Sequence, residues 1–267
     1  MVVFAQGLQV FVSLLFLLYA SWSDLKTREV SNWVWVFFAP IGTALSLILL
    51  FLLDFSYDML YVFGISVGVT SAFAVTLFYV GAFGGADAKA LMCLSLTLPY
   101  YPVYLLQFSA VMVSPLPLPI TVFSNAVLLA TLAVFYSVLR NFRWRFKTGQ
   151  PLFAGLENES FWRKFLAFIS GYKVQVAKLS KSVHLYPLED ITSKGAGDER
   201  RLLTLPKDEN REEIVARISN AAEGGRIKNE VWATPGLPML VFITAGLIVA
   251  LAWGNLVWIL LSTVWKI

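Results

Sequence analysis

Long, nearly unbroken apolar runs dominate this chain. They cover approximately Val3–Trp22, Asn32–Leu53, Met59–Tyr79, Ala88–Val113, Ile120–Leu139 and Leu237–Val264. A bilayer core of about 30 Å needs roughly 20 apolar residues per spanning helix, and all six runs meet that length. The interval between the fifth and sixth is different. It opens with the basic and aromatic sequence Arg140–Lys147 (RNFRWRFK), which suits the headgroup region where Trp and Arg anchor. Ser160–Ser170 then sets Phe161, Trp162, Phe165, Phe168 and Ile169 at mostly helical spacing. That pattern fits either a core helix of a small domain or a helix lying on the membrane surface. Tyr172–Ala177, Val183–Leu188 and Arg226–Ala233 alternate as strands do. Glu209–Ala222 reads as an amphipathic helix stopped by Gly224–Gly225, and Ser193–Glu199 (SKGAGDE) as a loop.

The predicted fold is an α-helical polytopic membrane protein. Six transmembrane helices are expected, with a small α+β domain between the fifth and sixth. The domain boundaries read as 1–140 for five helices, 141–234 for the polar domain and 235–267 for the last helix.

Composition supports this division. Of 267 residues, 58% are hydrophobic and 14% charged, against about 25% charged in a soluble domain. The charges concentrate between Arg140 and Glu230. With Met1 placed outside, 20 of the 21 Lys and Arg residues fall on the inner side, and Lys266 alone falls outside. The positive-inside rule then fixes the orientation: both termini outside the cell membrane, residues 141–234 in the cytoplasm. The outer loops hold Asp54, Asp58 and the run Ser114–Pro119. The formal charge of +4 reflects this bias rather than nucleic-acid binding. Met1–Gly7 has no basic residue, so the first run reads as a retained helix rather than a signal peptide. Cys93 is the single cysteine, which allows no internal disulfide and no cysteine zinc site.

Charged groups at the edge of a spanning helix are costly, and so are functional candidates. Asp24 follows the first run in Ser23–Asn32 (SDLKTREVSN), and Asp87 precedes the fourth in Gly81–Ala90 (GAFGGADAKA). On the predicted topology both carboxylates reach the cytoplasmic edge, while Asp54 and Asp58 lie at the opposite face. The plainer alternatives are a solvated loop residue for Asp24 and a first-turn helix residue, favoured by the helix dipole, for Asp87. Gly81, Gly84, Gly85 and Ala86 form a small-residue run that permits close approach or an unusual turn before Asp87. It could equally serve plain helix packing.

Two carboxylates at one point share a proton, because both cannot ionise easily. The ionised partner can activate water, and the neutral one can polarise a carbonyl and protonate a leaving amine. No serine–histidine pair, histidine-rich metal cluster or phosphate loop competes, and the only histidine, His184, lies in the polar domain. Use of the same aspartates in a proton- or ion-coupled transporter is a rival, as is an inactive membrane scaffold. Transport sites, however, tend to lie near the midplane.

Asp24 in SDLKTREVSN, Gly84–Lys89 (GGADAK) and Val231–Thr244 (VWATPGLPMLVFIT) together resemble the archaeal preflagellin and type IV prepilin peptidases. These are GxGD-class intramembrane aspartyl proteases. The six-helix layout with a late cytoplasmic domain is similar too. Ala86 stands where GxGD has its second glycine, which puts the loop geometry in question. The resemblance implies Asp24 and Asp87 as the catalytic pair and Gly84, Gly85 and Ala86 as the loop that shapes it. It further implies preflagellin or prepilin precursors as substrates, cut at the cytoplasmic boundary between a short basic leader and a hydrophobic helix. Membrane lipid is the other expected partner. No cofactor, metal or nucleic acid is expected. Bacterial relatives often carry a four-cysteine zinc module and methylate the new N-terminus; with one cysteine here, proteolysis alone is expected.

Overall fold

The computed structural model describes residues 1–103, 115–182, 184–194, 197–203 and 211–265. Its elements run α1 (Val2–Thr27), α2 (Asn32–Leu52), α3 (Tyr57–Tyr79), α4 (Gly85–Thr97) and α5 (Leu118–Thr148), then α6 (Phe161–Ser170), β1 (Tyr172–Gln175), α7 (Val176–Lys181), β2 (Leu185–Pro187), β3 (Glu189–Lys194), β4 (Gly197–Leu202), α8 (Arg211–Glu223) and β5 (Glu230–Pro235), and finally α9 (Met239–Trp253) and α10 (Leu256–Trp265). They form two units, Met1–Ala130 with Pro238–Ile267, and Thr131–Leu237. Among the described residues four helices, α1, α2, α3 and α5, are long and apolar enough to cross a membrane.

In the first unit α2 buries large apolar residues, Trp35, Phe38, Leu49 and Leu50 among them, but α1 and α3 bury mostly small and polar ones. The stripe that α1 buries is Ala5, Gln6, Gln9, Ser13, Leu17, Ala20 and Ser21, while Phe4, Phe11, Leu15, Leu18 and Trp22 are exposed. α3 likewise buries Ser66, Thr70 and Ala74. Lipid solvates the large apolar groups of these two helices, so small and polar residues make most of their contacts. Gln9 donates to Ser46 Oγ at 3.0 Å, and Ser46 donates on to the Leu96 carbonyl at 2.6 Å, joining α1, α2 and α4. Ser21 and Thr244 are hydrogen-bonded at 2.7 Å, joining α1 to α9.

The tightest approach is at Gly246, where a Cβ would stand 2.5 Å from the Val122 carbonyl oxygen and 2.9 Å from Ala126 N. Gly246→Ala must therefore push α9 and α5 apart. Overpacking of this kind costs about 1–3 kcal/mol. It should appear as a lower unfolding temperature in detergent; an unchanged midpoint would contradict this packing.

Three helix expectations need correction. α1 does not stop at Trp22 but continues to Thr27, so Asp24 is helical. The fourth run does not form one helix over Ala88–Val113: α4 ends at Thr97, just before Pro99 and Pro102, and residues 104–114 lie outside those described. Its 13 residues span about 20 Å at 1.5 Å per residue, less than a bilayer core. The last run, Leu237–Val264, breaks at Gly254, whose φ of 87° and ψ of −142° are open essentially to glycine alone. Buried Asn125 of α5 holds the break from both sides: its Nδ2 donates to the Gly254 carbonyl and its Oδ1 accepts from Leu256 N, each at 2.9 Å. Asn255 then caps α10 by accepting from Trp258 N at 3.0 Å.

In the second unit β5 lies between β1 and β2, antiparallel to both, in register Tyr172↔Ala233 and Leu185↔Pro235. The three predicted strands are present in shorter form, Val176 and Ala177 passing instead into the unexpected helix α7 and the last strand starting only at Glu230; the predicted helix appears as α8. Ser193–Glu199 is not a free loop, however: most of it belongs to the β3–β4 hairpin, paired Glu189↔Leu202 through Lys194↔Gly197. This hairpin has little apolar alternation to announce it; Ile191 and Leu202 are its buried apolar residues. Its anchor is instead Glu189, fully buried, which meets Arg200 Nη2 at 2.6 Å, Lys173 Nζ at 3.5 Å and the Trp232 amide at 2.8 Å.

Candidate active site

Asp24 lies in the last turn of α1. Arg28 ends that helix in the left-handed conformation, φ 61°, with its N–H donating to the Asp24 carbonyl at 3.0 Å. The polar sequence after Asp24 folds onto itself: Ser23 Oγ donates to the Glu29 carbonyl at 2.8 Å, and Thr27 Oγ1 to the Ser23 and Glu29 carbonyls at 2.9 and 3.0 Å. The chain thereby turns within a few residues into α2, where Ser31 Oγ accepts from Trp33 N as the cap.

Asp87 lies in the first turn of α4, the position that the dipole argument anticipated. Its Oδ2 accepts from Gly84 N at 3.1 Å, tying the carboxylate to the turn that starts the helix. The small-residue run supplies both an unusual turn and open space, at different glycines. Gly84 is extended, φ −71° and ψ 158°, a conformation open to any residue, and the left-handed glycine is Gly81, φ 77°. A Cβ on Gly84 would come within 3.2 Å of Asp87 Oδ2, so its smallness clears space at the carboxylate. Ala86 packs partly buried against the helical core, where its methyl group is accommodated.

α4 packs against α1, α2, α3 and α9, and Asp24 and Arg28 lie near enough to Asp87 to act on it electrostatically. Both aspartates are half-buried. Asp54 and Asp58 follow the opposite end of α2. The last residues of the GGADAK and SDLKTREVSN motifs, to which the sequence reading gave no role, meet each other. Lys89 Nζ donates to Asn32 Oδ1 at 2.7 Å, linking α4 to the start of α2. The two lie 57 positions apart, and only the shared membrane edge that grouped Asp24 with Asp87 could have grouped them as well. Among the described residues, no group of three or more His, Cys, Asp or Glu side chains is arranged to hold a metal ion.

Residues 11–138, which include both aspartates, match the type IV leader peptidase family, and residues 163–256 match the archaeal peptidase A24 C-terminus, type II. The chain carries a type IV leader peptidase domain, followed by an archaeal peptidase A24 C-terminal domain. It is a membrane protein and a peptidase. Its similarity to preflagellin peptidases extends over nearly the full length. That of Methanococcus voltae is 27% identical over 241 residues, 89% of this chain and 91% of the relative. That of Methanococcus maripaludis is 24% identical over 243 residues, 87% and 89%. That of Methanocaldococcus jannaschii is 28% identical over 229 residues, 84% and 85%. The similarity therefore reaches into both units of this peptidase.

Proposed function

We propose that this peptidase is a membrane-embedded aspartyl endopeptidase. It removes the short basic leader from preflagellin or type IV pilin-like precursors at the cytoplasmic membrane face. The supporting observation is that α4, which carries Asp87 in its first turn, packs against α1, which carries Asp24 in its last, in a chain whose relatives carry the name preflagellin peptidase.

In the proposed reaction one carboxylate is ionised and takes a proton from water. The resulting hydroxide forms a bond to the scissile carbonyl carbon, while the neutral carboxyl donates a hydrogen bond to the carbonyl oxygen. The C–N bond then breaks, and a carboxyl proton goes to the leaving amine. Each turnover consumes one water and leaves the pair sharing one proton again. Gly84 keeps the space at Asp87 clear for an extended peptide. The distribution of basic residues argues for termini outside and residues 141–234 in the cytoplasm, so the pair would meet the leader where it leaves the bilayer.

The test is incubation of the purified, reconstituted protein with a preflagellin precursor, followed by N-terminal sequencing of the product. One cut at the junction of the basic leader and the apolar segment is expected. An intact precursor, together with proton flux into the vesicles, would favour the transporter reading instead.

A further inference from the structure

α6 presents an apolar face that its own unit does not cover. Phe161 and Trp162 are 72% and 69% exposed, Phe165 43% and Leu166 39%, whereas Ala167 on the other side is buried. The exposed rings pack on one another, with Phe161 and Phe165 stacked at 6.3 Å and Trp162 edge-on to Phe165 at 6.2 Å. Four large apolar side chains on ten residues of helix are far more than scattered surface exposure.

The attachment of this helix indicates what covers it. Asn141 of α5, fully buried, donates to the Phe168 and Gly171 carbonyls at 2.9 and 2.8 Å, and Phe142 meets Phe168 edge-on at 5.6 Å. These contacts pin the C-terminal end of α6 to the turn of α5 where its apolar stretch gives way to Arg140, Arg143, Arg145 and Lys147. Just before that turn, α5 exposes Leu132, Phe135, Tyr136 and Leu139, the side chains that lipid covers in a spanning helix. The bare face of α6 thus adjoins a lipid-facing surface, at the level where that surface ends. Arg163 and Lys164 lie beside the aromatic residues, with Arg163 paired to Glu159 at 3.1 Å. Aromatic residues flanked by basic ones make up the composition of helices that lie in the headgroup region.

We propose that α6 is an interfacial helix: it lies in the bilayer surface where α5 leaves the membrane, with Phe161, Trp162, Phe165 and Leu166 among the acyl chains. It anchors the second unit to anionic lipid independently of the catalytic reading.

Spin labels test this on the full chain in nanodiscs of mixed phosphatidylglycerol and phosphatidylcholine. Cys93 is 4% exposed, so single cysteines replacing Trp162, Phe165 or Lys164 are the positions labelled; the unsubstituted protein is the control. Trp162→Cys alters a mostly exposed side chain, so the fold survives it. Labels at 162 and 165 should show a several-fold higher ratio of oxygen to nickel-chelate accessibility than the label at 164. Equal, water-like accessibility at all three positions would overturn the proposal. So would dipolar broadening at 162 that requires two copies per disc, because a second chain would then cover the face.

Discussion

Glu189→Ala should unfold the second unit while leaving the helical bundle standing. Glu189 is fully buried between two cations, and it also accepts from the Trp232 amide. Arg200 reaches it through both Nε and Nη2, at 3.2 and 2.6 Å. Burial already holds the Lys173 ammonium below the ordinary lysine range, and the attraction of Glu189 opposes that effect. Removing the carboxylate strands two cations and one amide in the interior at once. Breaking a buried ion pair from one side costs about 3–5 kcal/mol, a large fraction of the stability of a small unit. Hydrogen exchange on the reconstituted protein should show protection of the β5 amides falling by a factor on the order of 10²–10³, with α1–α3 unaffected. Glu189→Gln keeps the shape and an acceptor for Trp232, and should fall between the two. Unchanged β5 protection in Glu189→Ala would show that the ion cluster is not what holds the hairpin to the sheet.

This cluster also marks what the sequence could not convey. Nothing local to Glu189 distinguishes it from a solvated acid: its partners Lys173, Arg200 and Trp232 are scattered through the chain. Hydrophobic alternation reveals a strand only where one face is apolar, which is why β1, β2 and β5 were legible and the charged β3–β4 hairpin was not. The helix limits failed for related reasons. Hydropathy measures partition into lipid, so it ended α1 at Trp22, although hydrogen bonding carries the helix on to Thr27. It merged α4 with the apolar sequence beyond Pro99, and α9 with α10 across Gly254, because Pro and Gly change backbone geometry more than hydrophobicity. Packing of α4 on α1 is compatible with the expectation that topology groups Asp24 and Asp87 at one face of a membrane. The Gly84 amide that holds Asp87 and the Lys89–Asn32 bond needed coordinates.

Asp24→Asn and Asp87→Asn should each abolish leader cleavage. Asn is nearly isosteric with Asp but can neither accept the proton from water nor return one to the leaving amine. In the proposed cycle one carboxylate takes the proton from water while the neutral carboxyl holds the carbonyl oxygen, so neither can be spared. General acid–base catalysis contributes on the order of 10²–10⁴-fold per group, which takes turnover below detection in an ordinary assay. Groups that act as a unit are not additive, so the double variant should be no worse than either single one. Asp54→Asn and Asp58→Asn should be nearly silent, because α2 has 21 residues and sets them about 30 Å from the Asn32 end. Asn at position 87 still accepts from the Gly84 amide, so the start of α4 should persist, and the unfolding midpoint of each variant checks this. The decisive measurement is the single-turnover rate of cleavage of a co-reconstituted preflagellin precursor. It compares wild type, Asp24→Asn and Asp87→Asn, each at its unperturbed unfolding midpoint, with and without a chelator. The expected result is full activity of the wild type in chelator and no detectable product from either variant; substantial turnover by a variant, or loss of wild-type activity in chelator, would contradict the aspartyl mechanism.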